Sequence, residues 1–224
     1  MAHPIPAYIF FAVFVLSAAV HLAGCLWGRP KTAYTKPLLV SSLALTYAFA
    51  APAPSWVLIL ALFLSWLGDV LLIPKGHKWF TMGGIAFMFS HLFFVLLYST
   101  QISPEKLHIL PILLLAAAYF GFSLFIIRKI RRNTPKAMVP PMYFYLFCNS
   151  AMNIFAMMQL LSRPSLAAAV AYIGALLFYA SDCCLYLVRY GDKPEIIFKK
   201  HFTVMLTYLL GELLIVVGMM MLQR

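Results

Sequence analysis

The sequence predicts an all-α integral membrane protein with eight transmembrane helices and both termini on the non-cytoplasmic side. Two observations predict this fold class. Hydrophobic residues make up 64% of the 224 residues and charged residues only 10%, whereas a soluble domain is about 45–50% apolar and about 25% charged. Basic residues are also concentrated in alternate loops between the apolar runs. The composition excludes a soluble enzyme, a disordered chain and a collagen-like fibre.

Eight apolar runs are predicted to form the helices, because a transmembrane helix needs about 20 mostly apolar residues. They cover residues 5–27, 37–51, 55–73, 79–99, 108–127, 138–161, 166–188 and 200–222. The breaks between them contain, in order, Arg29-Pro30, Pro52-Ala53-Pro54, Pro74-Lys75-Gly76, Ser103-Pro104, Asn133-Thr134-Pro135, Arg163-Pro164 and Gly191-Asp192-Lys193-Pro194. These are residues typical of turns. Since every loop is short, residues 1–224 are expected to form a single transmembrane domain.

Basic residues are distributed unevenly between the two sets of loops. Of the 17 lysines and arginines, 14 lie near the loops that join helices one and two, three and four, five and six, and seven and eight. The other three are Lys106, Arg163 and Arg224. Cytoplasmic loops are enriched in basic residues, so the first set is placed in the cytoplasm. The net charge of +11 then faces anionic lipid, and no nucleic-acid partner is expected.

Three of the six acidic residues lie inside apolar runs, where an ionisable group is costly unless it faces a cavity or a partner. Asp69 lies near the end of the third run and Asp182 near the end of the seventh. A rise of 1.5 Å per residue places both roughly 6–9 Å below the cytoplasmic interface. We therefore predict that these two carboxylates form a functional pair. Glu212, in the eighth run, is a third acid within the membrane.

Further polar side chains lie at comparable depth and are predicted to face the same inward-facing pocket. They are Lys36 at the start of the second run, His91 in the fourth, Tyr145 and Asn149 on one face of the sixth, and Tyr208 and Glu212 on one face of the eighth. Polar groups in membrane helices also serve as hydrogen bonds between helices. A lysine at a helix end can also simply extend to the membrane surface.

The acids are the main indication of chemistry in this sequence. It contains no G-x-S-x-G, H-E-x-x-H, P-loop or G-x-G-x-x-G pattern. Two carboxylates in a pocket of low dielectric suit general acid–base catalysis, because their repulsion keeps one protonated and the other charged. Such a pair can hydrolyse acetal-like or enol-ether bonds, or carry protons in a transporter. Composition does not choose between these functions.

Short motifs occur in six of the eight runs. They are Lys36-Pro37-Leu38, Ser65-Trp66-Leu67-Gly68-Asp69-Val70-Leu71-Leu72, Phe87-Met88-Phe89-Ser90-His91-Leu92, Tyr145 with Met152, Gly174-Ala175-Leu176-Leu177-Phe178 followed by Ser181-Asp182, and Thr207-Tyr208. Together and in this order they resemble the lysoplasmalogenase family, also called YhhN-like, which consists of eight-helix membrane hydrolases of the vinyl-ether bond. The family usually has Gln where this chain has Glu212, and this difference changes the local proton balance.

The resemblance implies cleavage of lysoplasmalogens, which are glycerophospholipids with one 1-alkenyl ether chain. The products are a fatty aldehyde and glycerophosphocholine or glycerophosphoethanolamine, and neither a cofactor nor a metal is implied. Asp69 and Asp182 are the implied catalytic pair. Substrate-binding or orienting roles are expected for Lys36, His91, Tyr145, Asn149, Tyr208 and Glu212. The alkenyl chain is expected against Phe87, Met88, Met152, Met157, Phe178 and Met205, unless these residues only pack helices together.

The expected partners are the lysophospholipid substrate and the surrounding membrane lipid. The expected location is a multi-pass position in a membrane, the cytoplasmic membrane if the source is bacterial. Two other functions stay open. A proton-coupled carrier would use the three intramembrane acids, although the paired Gly/Pro helix interruptions of such carriers are missing. A metal-dependent lipid amidase would use His21, His91 and His201 with the aspartates.

Overall fold

A computed structural model describes residues 4–223, except for the side chains of residues 30 and 31. This part of the chain contains eight α-helices and no strand. In chain order they are α1 Pro4–Leu26, α2 Lys36–Ala50, α3 Trp56–Leu71, α4 His77–Ser99, α5 Ile109–Ile130, α6 Val139–Ser162, α7 Leu166–Tyr190 and α8 His201–Met221. Every predicted helix is present, which confirms the all-α prediction. The basic residue Arg224 and the extreme N-terminus lie outside the described residues.

Six of these helices, all except α2 and α3, are long and apolar enough to cross a membrane. Helix α2 has 15 residues and α3 has 16, so each is about 22–24 Å long, against a hydrocarbon core of about 30 Å. Pro37 lies in the first turn of α2, where a missing N–H costs nothing. Pro52 keeps Ala51 extended and thereby ends α2. The six long apolar helices support an integral membrane protein. That α2 and α3 also cross the membrane stays a prediction.

Helices α7 and α8 are in direct backbone contact through small residues. A Cβ atom added at Gly174 would lie 2.6 Å from the backbone nitrogen of Ile215, and one at Gly218 would lie 2.6 Å from that of Ala171. Small residues permit such close approach between membrane helices, where van der Waals packing holds helices together. These contacts hold the first turns of α7 against the last turns of α8, and the hydroxyl of Ser181 donates to the carbonyl of Val204 at 2.8 Å at the other end of the helix pair.

Helices α3 and α4 pack through a second small-residue contact. A Cβ atom at Gly68 would lie 2.5 Å from the ring of Phe87, so only glycine leaves room for that ring. One turn earlier, the hydroxyls of Ser65 and Ser90 share a hydrogen bond of 2.8 Å. These contacts fix the end of α3, and with it Asp69, against α4.

Large apolar side chains also cover the outer surface of the bundle. The most exposed include Ile5, Tyr8, Trp56, Ile109, Leu110 and Leu166. Soluble monomers rarely expose apolar surface on this scale, so this outer surface fits a lipid environment. The polar residues singled out in the sequence lie on the inside instead.

Candidate active site

A cavity of about 430 Å³ lies at the end of the bundle where α1, α3 and α7 finish and α2, α4 and α8 begin. Its volume falls in the range of small-molecule sites. Asp69 and Asp182 both line it, and they are only 2% and 4% exposed. The structure thus brings together, in what we term the polar cavity, the two carboxyls that the sequence predicts to form a pair.

Asp69 contacts one cation and one phenol. Its Oδ1 atom lies 3.6 Å from Nζ of Lys36, and the hydroxyl of Tyr208 donates a hydrogen bond of 2.8 Å to its Oδ2 atom. The indole of Trp66, on α3, donates to the carbonyl of Pro37 at 2.9 Å. Because this bond ties the start of α2 to α3, it holds Lys36 beside Asp69. Helices α2, α3 and α8, which carry Lys36, Asp69 and Tyr208, are therefore all needed to build this half of the site.

Asp182 contacts two groups that carry no fixed charge. The side-chain amide of Asn149 donates to its Oδ2 atom at 2.6 Å, and Nε2 of His91 lies 3.3 Å from the same oxygen. Both partners are fully buried and neither lines the polar cavity. The ring of Tyr145 packs edge-on against His91, with centroids 5.3 Å apart. Asn149 and His91 therefore contact the Asp182 carboxyl on the side away from the polar cavity, while Asp182 itself lines the cavity.

Glu212 lies one turn after Tyr208 on α8 and is completely buried. Among the described residues, none makes a hydrogen bond of ordinary length and angle to either of its carboxyl oxygens. A buried carboxylate without a partner is costly. Glu212 is absent from the cavity wall, so the structure places it behind Tyr208.

The structure separates the predicted site residues into two groups. Lys36 and Tyr208 line the polar cavity with the two aspartates, while the other four predicted binding residues lie outside its wall. Among the residues expected to contact the alkenyl chain, Phe87 and Met205 line the polar cavity. Met152 and Phe178 are fully buried in the helix core, as the helix-packing alternative expects.

Several cavity residues were not predicted as site residues. Arg29 and Arg189 line the cavity, but in the sequence they are indistinguishable from basic residues that mark topology. The guanidinium of Arg189 lies 3.9 Å from the ring centroid of Phe80. Among the side chains that the structure describes, the two ion pairs are those of Lys36 with Asp69 and of His91 with Asp182, so neither arginine is paired with a carboxylate. The cavity therefore has basic groups available for an anionic ligand.

Two histidines also line the cavity, and a third lies behind it. His21 hydrogen-bonds through Nδ1 with the hydroxyl of Thr35 at 2.8 Å, and His201 lies at the start of α8. His91 is on the far side of Asp182. In the part of the chain that the structure describes, no three His, Cys, Asp or Glu side chains are grouped as a metal site.

Comparison with known proteins identifies one family. The model of the YhhN family matches residues 31–219, a segment that contains both aspartates and all of their contacts described above. The comparisons with curated proteins and with solved structures find no match.

Proposed function

The chain belongs to the YhhN family, which is the lysoplasmalogenase-like family, and from that premise we propose that it hydrolyses the vinyl-ether bond of lysoplasmalogens. The observation that carries the proposal is the pair of buried carboxyls, Asp69 and Asp182, on the wall of one cavity. Vinyl-ether hydrolysis requires a group that donates a proton to carbon and a group that accepts one from water. Two carboxyls on the wall of one cavity can supply both.

The reaction starts with proton transfer from one carboxylic acid to the alkenyl carbon that is not bonded to the ether oxygen. This leaves an oxocarbenium ion, which the second carboxylate stabilises. Water adds to the carbon that carries the ether oxygen and gives its proton to the second carboxylate, so a hemiacetal forms. The hemiacetal hydroxyl then returns a proton to the first aspartate, and the second protonates the leaving oxygen. A fatty aldehyde and a glycerol hydroxyl result, and both aspartates regain their starting states.

The basic residues of the cavity are proposed to bind the phosphate of the substrate. Lys36 lies beside Asp69, while Arg29 and Arg189 line the same cavity without a carboxylate partner. Arginine suits phosphate because its planar fork of N–H donors matches the phosphate oxygens. The phosphate would therefore lie near the loops of the bundle, and the scissile bond deeper, beside the aspartates.

All eight helices are proposed to cross the membrane, with both termini on the non-cytoplasmic side. The hydroxyl of Tyr47, near the end of α2, accepts hydrogen bonds from the backbone N–H of Ser55 at 2.8 Å and from the amide of Gln223 at 3.0 Å. Gln223 lies two residues after the end of α8, so the turn between α2 and α3 lies at the same level as the end of a full-length span. This supports crossing by both short helices, with local thinning of the bilayer.

Topology is tested by the accessibility of single cysteines in a chain whose natural cysteines are replaced. An impermeant reagent is expected to label Ala53→Cys from the non-cytoplasmic side and Arg132→Cys from the cytoplasmic side. Labelling of both from one side contradicts the proposed topology. If Ala53→Cys is reached from neither side, helices α2 and α3 form a hairpin that stays inside the membrane.

Activity is tested by incubating the purified protein in lipid vesicles with 1-alkenyl-lysophosphatidylcholine and measuring aldehyde release. The matched 1-acyl lipid is the control, since it lacks the vinyl ether and should release no aldehyde. Asp69→Asn and Asp182→Asn are each expected to lower kcat by about 10²–10⁴-fold, the usual contribution of general acid–base catalysis. Absence of aldehyde, or release that both variants leave unchanged, refutes the proposal.

A further inference from the structure

A second hollow, of about 360 Å³, lies between the first turns of α4, the first turns of α6 and the last turn of α7. We term it the apolar groove. Most of its wall is hydrocarbon or thioether, from Ile85, Met88, Met138, Pro141, Met142 and Phe144. The polar cavity, by contrast, carries carboxyls and basic groups. The two hollows therefore suit the two ends of an amphipathic ligand.

The apolar groove opens on the outer surface of the bundle. Ile85 is 43% exposed and Phe144 is 66% exposed, and both belong to helices long enough to cross the membrane. Ile85 follows the start of α4 by eight residues, which is about 12 Å along the helix axis. At that depth an exposed apolar side chain faces lipid tails. The groove is thus reached sideways from the bilayer.

Phe80 lies between the apolar groove and the polar cavity, because it lines both. Its ring packs edge-on against Tyr186, with centroids 6.0 Å apart, and the guanidinium of Arg189 lies over it. Tyr186 is one helical turn after Asp182 on α7, so the two residues share a face of that helix. Phe80, packed against Tyr186, therefore forms an aromatic partition between the two hollows, and Tyr186 places this partition close to Asp182.

The floor of the apolar groove backs onto Asp182. Tyr145 lines the groove and packs on His91, which in turn contacts Asp182. Tyr186 also lines the groove, and it lies one helical turn after Asp182 on α7. Asp69, in contrast, faces Lys36 and Tyr208. Of the two carboxyls, Asp182 is thus the one next to the groove.

We propose that the apolar groove binds the hydrocarbon chain of a single-chain lipid whose polar end occupies the polar cavity. The chain passes the partition when the ring of Phe80 rotates aside.

This inference rests on the proposed function, and it also assigns a role to each of the two aspartates. The vinyl ether joins head and chain, so it lies at the partition. The carbon that receives the proton is on the chain side of the ether oxygen, which makes Asp182 the proton donor. Asp69 then takes the proton from water.

The inference is tested with a probe that the enzyme cannot hydrolyse. A 1-alkyl-lysophosphatidylcholine with a diazirine at the chain end is irradiated with the full-length protein in nanodiscs, and mass spectrometry locates the label. Label is expected in residues 80–88 and 138–145, and excess unlabelled lysolipid should abolish it. A diazirine-bearing two-chain lipid controls for non-specific labelling of the lipid-facing surface. Label that does not compete, or that is spread over α5, overturns the inference.

Two variants of α4 form a matched pair. Ile85 and Leu92 are 43% and 41% exposed, but only Ile85 lines the apolar groove. Ile85→Trp is expected to lower groove labelling at least fivefold, whereas Leu92→Trp should leave it unchanged. Phe144→Ala removes an exposed ring at the groove mouth and provides a second variant whose folding is secure. If Ile85→Trp and Phe144→Ala both label like the wild type, the groove does not bind the chain.

Activity separates failure of this inference from failure of the proposed function. For a 16-carbon alkenyl chain, Ile85→Trp is expected to raise KM about tenfold with little change in kcat, and for an 8-carbon chain much less. Competed labelling without any aldehyde release would refute the hydrolase and keep the groove as a lipid site. Aldehyde release without competed labelling would refute the groove and keep the hydrolase.

Discussion

The two aspartates occupy the same cavity but have different surroundings. Asp69 is paired with Lys36 and bonded to Tyr208, whereas Asp182 is held by Asn149 and His91. Asp69 therefore has the amino group of a lysine within 4 Å, whereas the partners of Asp182 are an amide and an imidazole. In the proposed reaction, these different surroundings suit the two carboxyls to separate tasks, Asp182 as proton donor and Asp69 as proton acceptor.

The largest expected effect comes from testing whether these tasks belong to one mechanism. We expect the double variant Asp69→Asn/Asp182→Asn to have about the same kcat as the less active of the two single variants. When two groups act as a unit, removing either one already removes the rate enhancement that both provide. Initial rates of aldehyde release measure this. If the fold-reductions in kcat of the two single variants instead multiply in the double variant, the two carboxyls act independently and do not share one mechanism.

The next prediction compares how much a partner of Asp69 and a partner of Asp182 contribute to the free energy of unfolding. Lys36→Met leaves Asp69 buried without its cation and is expected to lower the free energy of unfolding by about 3 kcal/mol. Asn149→Leu removes a hydrogen bond to Asp182 and should cost about 1.5 kcal/mol. Reversible denaturation in detergent measures both.

The double variant Lys36→Met/Asp69→Asn is the control for this comparison. It removes both members of the ion pair, so most of the stability lost in Lys36→Met should return. If the double variant is as unstable as Lys36→Met alone, the ion pair is not the cause. Equal costs for Lys36→Met and Asn149→Leu would show that the two aspartates have equivalent surroundings.

A smaller effect is expected at the third buried acid, and it distinguishes the hydrolase from the proton carrier. Glu212→Gln keeps the shape of the side chain and removes its ability to titrate. Since Glu212 lies behind Tyr208 and outside the cavity wall, we expect aldehyde release within about threefold of the wild type, a change of under 1 kcal/mol in activation free energy. A proton carrier that used Glu212 would instead lose proton flux in liposomes, which a pH-sensitive dye reports.

The last prediction concerns protection of a cysteine on the cavity wall, which tests occupancy and not catalysis. Cys25 is half-buried and lines the polar cavity, and Cys148 is half-buried and lies outside it. Chains that retain only one of these cysteines form a matched pair. A saturating 1-alkyl lysolipid should slow alkylation of Cys25 severalfold and leave Cys148 unchanged. Equal slowing at both positions would mean that the lipid acts as a detergent and does not occupy the cavity.

Much of the fold follows from properties of local sequence. Each apolar run is long enough to form a helix, and each break contains residues that end one, so all eight helices are predicted within about three residues of their ends. Asp69 and Asp182 are conspicuous because a charge in an apolar run contradicts its surroundings. These signals are readable without knowing which helices touch.

The rest of the site depends on contacts between distant parts of the chain. Arg29 and Arg189 have the sequence signature of topology markers, and only their place on the cavity wall distinguishes them from the other arginines. Tyr145 and Asn149 share a helix face, yet Tyr145 lines the apolar groove while Asn149 holds Asp182. No local pattern separates these roles.

The sequence by itself determined the helices, the membrane class and the two carboxyls, because hydrophobicity and charge are properties of segments. Only the tertiary structure decided which groups face each carboxyl and where the apolar groove lies. These outcomes depend on how each helix is rotated and how closely it approaches its neighbours. Glycines such as Gly68 and Gly174 set that approach, and their effect depends on the residues opposite, Phe87 and Ile215, which lie far along the chain.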